Sequence, residues 1–337
     1  MYRRAIRVLV VDDSSFFREF LEKTFSEEAD IEVVGSAANA MDAIQKILAL
    51  KPDVITLDVE MPGMRGIEFL RELMPKNPTP VVVVSSISEN VFDAMSAGAV
   101  DFVTKPDFKN NISLESFVNE LKVKVKVAST ANVAHWKNAV RNPVSNKNTS
   151  KINLIAIGAS TGGTEAIYDV VRRFPADAPG IVIVQHMPPV FTKMYASRLN
   201  QSCRIEVKEA ENGDQVLPGR ALIAPGDYQM SLRSVGDRYT VQCVKGDKVS
   251  GHCPSVDVLF RSVARIAGPK AVGIILTGMG ADGAHGLLEM RNRGARTFGQ
   301  DEASSIVYGM PKVAFDIGAV EVQASLHNIP ELVMKLL

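Results

Sequence analysis

Ser160 sits in the turn Gly158-Ala159-Ser160-Thr161-Gly162-Gly163, after the apolar run 152–157 and before a helix-like stretch over 164–174. A side chain at that junction faces a helix N-terminus, where unpaired backbone amides and the positive dipole end favour an anion. Small neighbours permit a sharp turn that projects the hydroxyl, which suits a nucleophile whose reaction passes through an oxyanion. Taken alone, the turn is equally a phosphate-binding or merely tight βα turn, although Ser160 at the second glycine position removes the dinucleotide-binding spacing. The chemistry therefore depends on partners.

Two partners stand in matching places. The apolar run 181–184 leads into Gln185-His186-Met187, and the run 271–276 leads into Thr277-Gly278-Met279-Gly280-Ala281-Asp282-Gly283. If these runs are parallel strands of one sheet, Ser160, His186 and Asp282 emerge at its carboxyl edge, where open α/β sheets bind ligands. Neutral imidazole is matched to taking a serine proton near neutral pH, and an ionised aspartate fixes its tautomer and stabilises the imidazolium. The bland alternatives are a surface histidine and an aspartate that caps the helix running to about Arg293. The order Ser, His, Asp differs from the Ser, Asp, His order of α/β-hydrolases, which disfavours that fold despite the G-x-S-x-G match. Glycines around Met279 free amides to face an oxyanion, each such donor being worth roughly 3–4 kcal/mol in a transition state.

The N-terminal part uses the same placement for different chemistry. Its apolar runs 6–11, 54–57, 81–84 and 102–104 end at Asp12-Asp13, Asp58, Ser85 and Lys105. Helical stretches alternate with them, the first over 14–28 with Phe16, Phe17, Phe20, Leu21 and Phe25 on one face, then near 38–50, 66–74, 89–97 and 114–125. Such alternation predicts a doubly wound parallel sheet. Carboxylates crowded at one edge raise each other's pKa unless a hard cation neutralises them, and Mg²⁺ takes oxygen ligands while leaving sites for a phosphoryl donor. Asp58 would then be the nucleophile that becomes an aspartyl phosphate, with Lys105 paired to the new charge and Ser85 donating a hydrogen bond to it. The alternative is a diaspartate turn capping the first helix, with Asp58 an unrelated cap.

On these residues, 1–120 resemble a two-component receiver domain, and 151–337 resemble the catalytic domain of the chemotaxis response-regulator protein-glutamate methylesterases. The second resemblance rests on the Ser160 turn, Gln185-His186-Met187 and the 277–283 loop. Support comes from Ala224-Pro225-Gly226, Pro254-Ser255-Val256-Asp257-Val258-Leu259-Phe260, Gln300-Asp301-Glu302 and Tyr308-Gly309-Met310-Pro311. It implies that Ser160, His186 and Asp282 form a triad, and that the loop carrying Met279, with Thr161, builds the oxyanion site. It implies that Asp58 is phosphorylated and that Asp12, Asp13, Asp58 and the Glu60 carbonyl bind Mg²⁺. Ser85, Phe102 and Lys105 become the receiver switch, Phe102 being either a rotamer reporter or a plain core aromatic. The implied substrates are glutamate methyl esters on cytoplasmic helices of chemoreceptors, with glutamine deamidation at the same site. The implied phosphodonor is a chemotaxis histidine kinase, and no cofactor is implied for the catalytic domain. His252-Cys253 departs from the arginine-type residue expected before Pro254, which touches a local surface or substrate contact rather than the triad.

The expected architecture is therefore two doubly wound α/β domains: a flavodoxin-like receiver over 1–124 and a Rossmann-like, α/β hydrolase-type catalytic domain over 151–337, joined by a linker over 125–150. A length of 337 residues accommodates two such cores. No Asp or Glu occurs from Leu121 through Thr164, while Asn, Ser, Thr and Lys accumulate, a linker composition. Within it, Trp136 is expected to pack on a domain surface. A net charge of zero gives no footprint for nucleic acid. Cys203, Cys243 and Cys253 lack C-x-x-C spacing and are odd in number, which argues for idle thiols in a reducing cytoplasm rather than a disulfide framework. Neither a signal-peptide pattern nor a run approaching the ~20 apolar residues of a membrane span is present.

Phosphorylation is expected to control the esterase, with the unphosphorylated receiver restricting access to the Ser160 edge. The competing reading is a response regulator whose second domain is a non-enzymatic phosphate- or peptide-binding module. A generic small-ester hydrolase is a third, and a transcriptional regulator is disfavoured because no basic recognition helix follows the linker. Lys193, Tyr195 and Arg198, in the helix after His186, are candidates by location alone for recognising a receptor helix.

Overall fold

Apolar runs without polar interruption form strands buried on both faces, as parallel sheets covered by helices require. The computed structural model describes residues 4–61, 66–86, 90–106, 113–133, 152–236 and 238–337, and the chain divides into units of residues 1–139 and 140–337. The linker residues 134–150, including Trp136, lie outside the described residues.

The first unit runs β1 (Ile6–Val11), α1 (Ser15–Ser26), β2 (Ile31–Ala37), α2 (Ala40–Leu50), β3 (Val54–Leu57), α3 (Gly66–Lys76), β4 (Val81–Ser85), α4 (Asn90–Ser96), β5 (Asp101–Thr104) and α5 (Leu114–Ala128). Its five strands are all parallel in the order β2-β1-β3-β4-β5, the doubly wound sheet expected. Ser14, Asn39 and Ser113 start α1, α2 and α5 by accepting from the amides of Phe17, Asp42 and Ser116, so N-terminal amides that the helix cannot satisfy find side-chain oxygens. The apolar face of α1 differs from expectation: Leu21 and Phe25 are buried, but Phe16 is 76% exposed. Residues 17, 21, 24 and 25 follow the 3.6-residue repeat and Phe16 falls a hundred degrees outside it. Helix α5 continues to Ala128, past the expected boundary at residue 124.

The second unit runs β6 (Leu154–Ala159), α6 (Gly163–Val171), β7 (Gly180–Gln185), α7 (Phe191–Ser202), β8 (Glu206–Glu209), β9 (Arg220–Ile223), β10 (Tyr228–Val235), β11 (Arg238–Lys245), α8 (Val256–Ile266), β12 (Ala271–Ile275), α9 (Ala284–Asn292), β13 (Arg296–Gln300), α10 (Met310–Asp316), β14 (Val322–Ala324) and α11 (Ile329–Met334). Seven strands form a parallel sheet in the order β14-β13-β12-β6-β7-β9-β8. The chain builds outward from β6 on one side, then returns through β12 to build on the other. β6 therefore marks the topological switch point, and the crevice of such a sheet opens at the carboxyl ends of the strands beside it. The antiparallel pair β10–β11 stands outside this sheet and is tied to α8 by a bond from the Leu232 amide to Ser262 Oγ at 2.8 Å.

Candidate active site

Parallel register places the first two chemical groups. Gly158 pairs with Val184 and Ala159 with Gln185, so Ser160 and His186 are the next residues on adjacent strands, which lie about 4.8 Å apart. The His186 amide donates to the Ala159 carbonyl at 3.2 Å, and the Ser160 amide donates to the Thr277 carbonyl at 3.0 Å. The second bond draws the loop after β12 over the serine. Gly278 has no room for a side chain there, because a Cβ would stand 2.7 Å from Ser160 Cβ. Gly162 closes the serine turn with a left-handed φ of 75° before α6 begins. The Ser160 hydroxyl is half-buried and makes no hydrogen bond among the described residues.

The third group reaches the first two through the histidine. His186 Nε2 lies 2.7 Å from Asp282 Oδ2, with side chains only 8% and 1% exposed. The other ring nitrogen, Nδ1, is buried and has no hydrogen-bond partner among the described residues. A carboxylate on Nε2 holds the proton there and leaves the Nδ1 lone pair as an acceptor. Gln185 stitches the two strand ends together, donating from Nε2 to the Ser160 carbonyl at 2.9 Å and to the His186 carbonyl at 3.1 Å.

Asp282 is not the cap of its own helix. It caps α8: Asp282 Oδ1 accepts from Ser255 Oγ at 2.7 Å and the Asp257 amide at 3.1 Å, and Oδ2 accepts from the Val256 amide at 2.7 Å. In return Asp257 Oδ1 accepts the Gly286 amide of α9 at 2.7 Å. Two helices thus exchange carboxylates at their N-termini, where the dipole ends favour negative charge. Burial pushes the Asp282 carboxyl up. Its bonds with His186, Ser255 and the Val256 amide outweigh that and hold it below the ordinary carboxylate value.

Met279 is the exposed tip of the loop, 51% accessible, and the backbone just before it, at Gly278, is anchored. The Gly278 amide donates to the Val307 carbonyl, and the Gly278 carbonyl accepts from the Gly309 and Met310 amides. The Met279 and Gly280 amides donate to no carbonyl among the described residues. Thr161 is buried, its carbonyl accepting Thr277 Oγ1 at 3.0 Å. The contributions of Ser255, Gln185 and Thr277 were not read from the sequence, although all three lie in its motifs. His252 was also read as peripheral, yet its ring stacks on His186. Among the recognition candidates, Tyr195 is a core residue, 1% exposed, with its hydroxyl donating to the Thr164 carbonyl at 2.7 Å. Burial pushes the Cys203 thiol up to about 11 and, before nearby Asp214 and Glu209, Cys243 up to about 12, which makes both poor nucleophiles.

A second constellation occupies the carboxyl edge of the first unit. Asp12, Asp13 and Asp58 offer ligand oxygens all within 4.8 Å of one another. Lys105 Nζ bonds Asp12 at 2.8 Å and Asp58 at 2.6 Å while resting 4.5 Å above the Phe17 ring. Burial raises the Asp12 pKa more than Lys105 lowers it. For Lys105, burial acts downward and the two carboxylates override it, so the ammonium stays charged. Ser85 Oγ is buried with no hydrogen-bond partner among the described residues. Asp58 Oδ1 accepts the Glu60 amide at 2.9 Å, which sets the turn carrying the Glu60 carbonyl. Phe102 is 4% exposed, its ring edge-on to Phe92 at 6.4 Å and capped by Lys124 Nζ at 5.0 Å. Oxygen-only donors at this spacing suit a small hard cation.

The description "CheB methylesterase" matches residues 155–333, and "Response regulator receiver domain" matches residues 8–116. The chain is 57% identical to the protein-glutamate methylesterase/protein-glutamine glutaminase 2 of Syntrophomonas wolfei subsp. wolfei, covering 100% of this chain and 99% of the relative. It is 50% identical to the corresponding enzyme of Syntrophotalea carbinolica, covering 99% and 98%. The crystal structure of the Thermotoga maritima CheB methylesterase catalytic domain superposes with a TM-score of 0.54 at 35% identity, over 55% of this chain and 99% of that one.

Replacing Asp282 with Asn should lower kcat by about 10³–10⁴-fold, as loss of the orienting carboxylate does in comparable triads. Its depressed folded-state pKa means that the Asp282 carboxylate stabilises the fold above its unfolded value, and that this contribution disappears as pH falls through the folded value. Urea unfolding from pH 7 to pH 3 should therefore show a shallower acid loss in Asp282→Asn than in the parent. Equal slopes would show that the charge of Asp282 carries no such stability.

Proposed function

This chain belongs to the CheB methylesterase family and carries a response regulator receiver domain; on that premise we propose that Ser160 is the nucleophile, His186 its base, and Asp282 the carboxylate that orients the base. The activity is that of a protein-glutamate methylesterase and protein-glutamine glutaminase serving chemotactic adaptation. The observation that carries the residue roles is the 2.7 Å bond between His186 Nε2 and Asp282 beside a buried, unpartnered Nδ1.

Ser160 Oγ attacks the side-chain ester carbonyl and its proton passes to His186 Nδ1. The carbonyl oxygen becomes an oxyanion, which the Met279 and Gly280 amides and the serine turn at Thr161 stabilise. As the tetrahedral centre collapses, the C–O bond to methoxide breaks and His186 returns the proton, so methanol leaves. Water then attacks the acyl-serine, gives its proton to His186, and releases the glutamate as Ser160 regains its hydrogen. With a glutamine side chain the same sequence breaks a C–N bond and ammonia departs. Asp282 stays ionised throughout, its charge matched by two α8 amides and, after proton transfer, by the imidazolium.

In the receiver, Asp12, Asp13 and Asp58, with the Glu60 carbonyl, would hold Mg²⁺, which supplies neutralising charge to the phosphoryl oxygens in flight. An Asp58 oxygen attacks phosphorus, and the bond to the histidine nitrogen of the kinase donor breaks. Lys105 stays paired with the acyl phosphate and Ser85 Oγ gives its hydrogen to a phosphoryl oxygen, satisfying an otherwise orphaned donor. The acyl phosphate adds about −1.5 to −2 charge, and that local change shifts the protein toward its active state. The ester substrates lie on cytoplasmic helices of chemoreceptors, which sets the enzyme in the cytoplasm; no helix among the described residues is long and apolar enough to cross a membrane.

Ser160→Ala should reduce methanol release from methylated receptors by at least about 10⁴-fold and abolish labelling by a fluorophosphonate; activity within a few-fold of the parent would overturn the nucleophile. Asp58→Asn should leave basal turnover in place and remove all stimulation by a phosphodonor, as should chelation of Mg²⁺ in the parent. Stimulation that survives Asp58→Asn would assign phosphorylation elsewhere.

A further inference from the structure

The imidazole of His252 lies flat on that of His186, with ring centroids 3.6 Å apart and planes 8° from parallel. It comes from the segment between β11 and α8, whose backbone is fastened on several sides. The His252 amide and carbonyl both pair with Val249 at 2.9 Å. That carbonyl also accepts Gln229 Nε2 at 3.1 Å, and Gln229 Oε1 accepts the Ser255 amide at 2.9 Å. Three residues beyond His252, Ser255 donates to Asp282. One short segment therefore delivers both a ring to the face of His186 and a donor to the carboxylate at its edge.

A single bond from Nε2 to a carboxylate leaves an imidazole free to pivot about that bond, carrying Nδ1 with it. A flat partner removes this freedom. We propose that His252 is a positioning residue for the ester hydrolysis: its ring, stacked on His186, fixes the plane of the base so that Nδ1 stays on the Ser160 side. The inference rests on the triad reading above. His252 serves this role uncharged, since burial and then the neighbouring His186 push its pKa down to about 4, with Lys248 acting in the same direction and Asp282 against it. When His186 takes the serine proton, it meets a neutral π face rather than a second cation, and such a contact is attractive.

The test compares the full-length chain, phosphorylated in Mg²⁺ with a small-molecule phosphodonor, as parent, H252F, H252L, H252A and H186A, by methanol release from methylated receptor membranes. H252F keeps a flat ring without imidazole nitrogens and should hold kcat within about threefold, whereas H252A and H252L should lose about tenfold or more in kcat with KM little changed, the scale of a misplaced base. If H252A does not fold, H252L decides. Parental kcat in H252L or H252A overturns the inference, as does H252F falling as far as they do, because the claim concerns a plane and not an imidazole. A loss confined to KM also overturns it and makes His252 a substrate contact. Activity in H186A would sink the triad reading itself; an inactive H186A beside a fully active H252L sinks only the role of His252.

Discussion

A carboxylate buried to 1% exposure must be matched bond by bond, and in the catalytic unit everything near Asp282 is arranged to do so. Ser255 Oγ and two amides at the start of α8 take most of its lone pairs, and His186 takes the remaining direction. The α8 N-terminus therefore fixes where the negative charge sits, and the charge fixes which imidazole nitrogen holds the proton. Asp257 returns the favour to α9 through the Gly286 amide, so the helices on either side of the loop lock the carboxylate from both ends. In the proposed mechanism this exchange is what sets the histidine's tautomer and, through it, the base for the serine.

Both units apply one solution to different electrostatic problems. Parallel strands end at a common edge, and polar side chains just past those ends gather there without disturbing the core. In the receiver the groups are ionic: Lys105 spans Asp12 and Asp58, and the buried Ser85 Oγ has no partner among the described residues, which suits its proposed bond to a phosphoryl oxygen. In the catalytic unit the proposed nucleophile is neutral and the two buried carboxylates, Asp282 and Asp257, already accept from backbone amides, so the proposed reaction calls for a base and oxyanion donors rather than a cation. The comparison explains why one fold class serves a charge switch and a hydrolase in the same chain.

Much of this was legible in the sequence because buried parallel strands read as unbroken apolar runs, and the residue that ends each run is conspicuous. Asp12, Asp58, Ser85, Lys105, Ser160 and His186 all stand out in that way, and Asp282 follows its run by a glycine-rich loop. What stayed hidden was long-range or half-polar. β8 and the β10–β11 hairpin carry many polar side chains and β9 is only four residues long, and none of them gave a reading. The exchange between Asp282 and Asp257 joins residues 25 positions apart, beyond any local capping signal. Tyr195 looked available because its helix follows His186, yet helix phase turns it into the core; Phe16 fails by the same phase in the opposite sense. His252 was noticed only as a departure from pattern, since stacking leaves no trace in spacing.

The proposed chemistry turns on which nitrogen of His186 is free. Nitrogen NMR of the full-length protein labelled at histidine, with the His186 signals assigned by their absence in His186→Gln, reads this directly at neutral pH. The expected result is a proton on Nε2, strongly deshielded by its bond to Asp282, and an unprotonated Nδ1 with the shift of a bare acceptor. A resting enzyme with its proton on Nδ1 and Nε2 bare would contradict it, because the nitrogen proposed to take the serine proton would then have no lone pair to accept with.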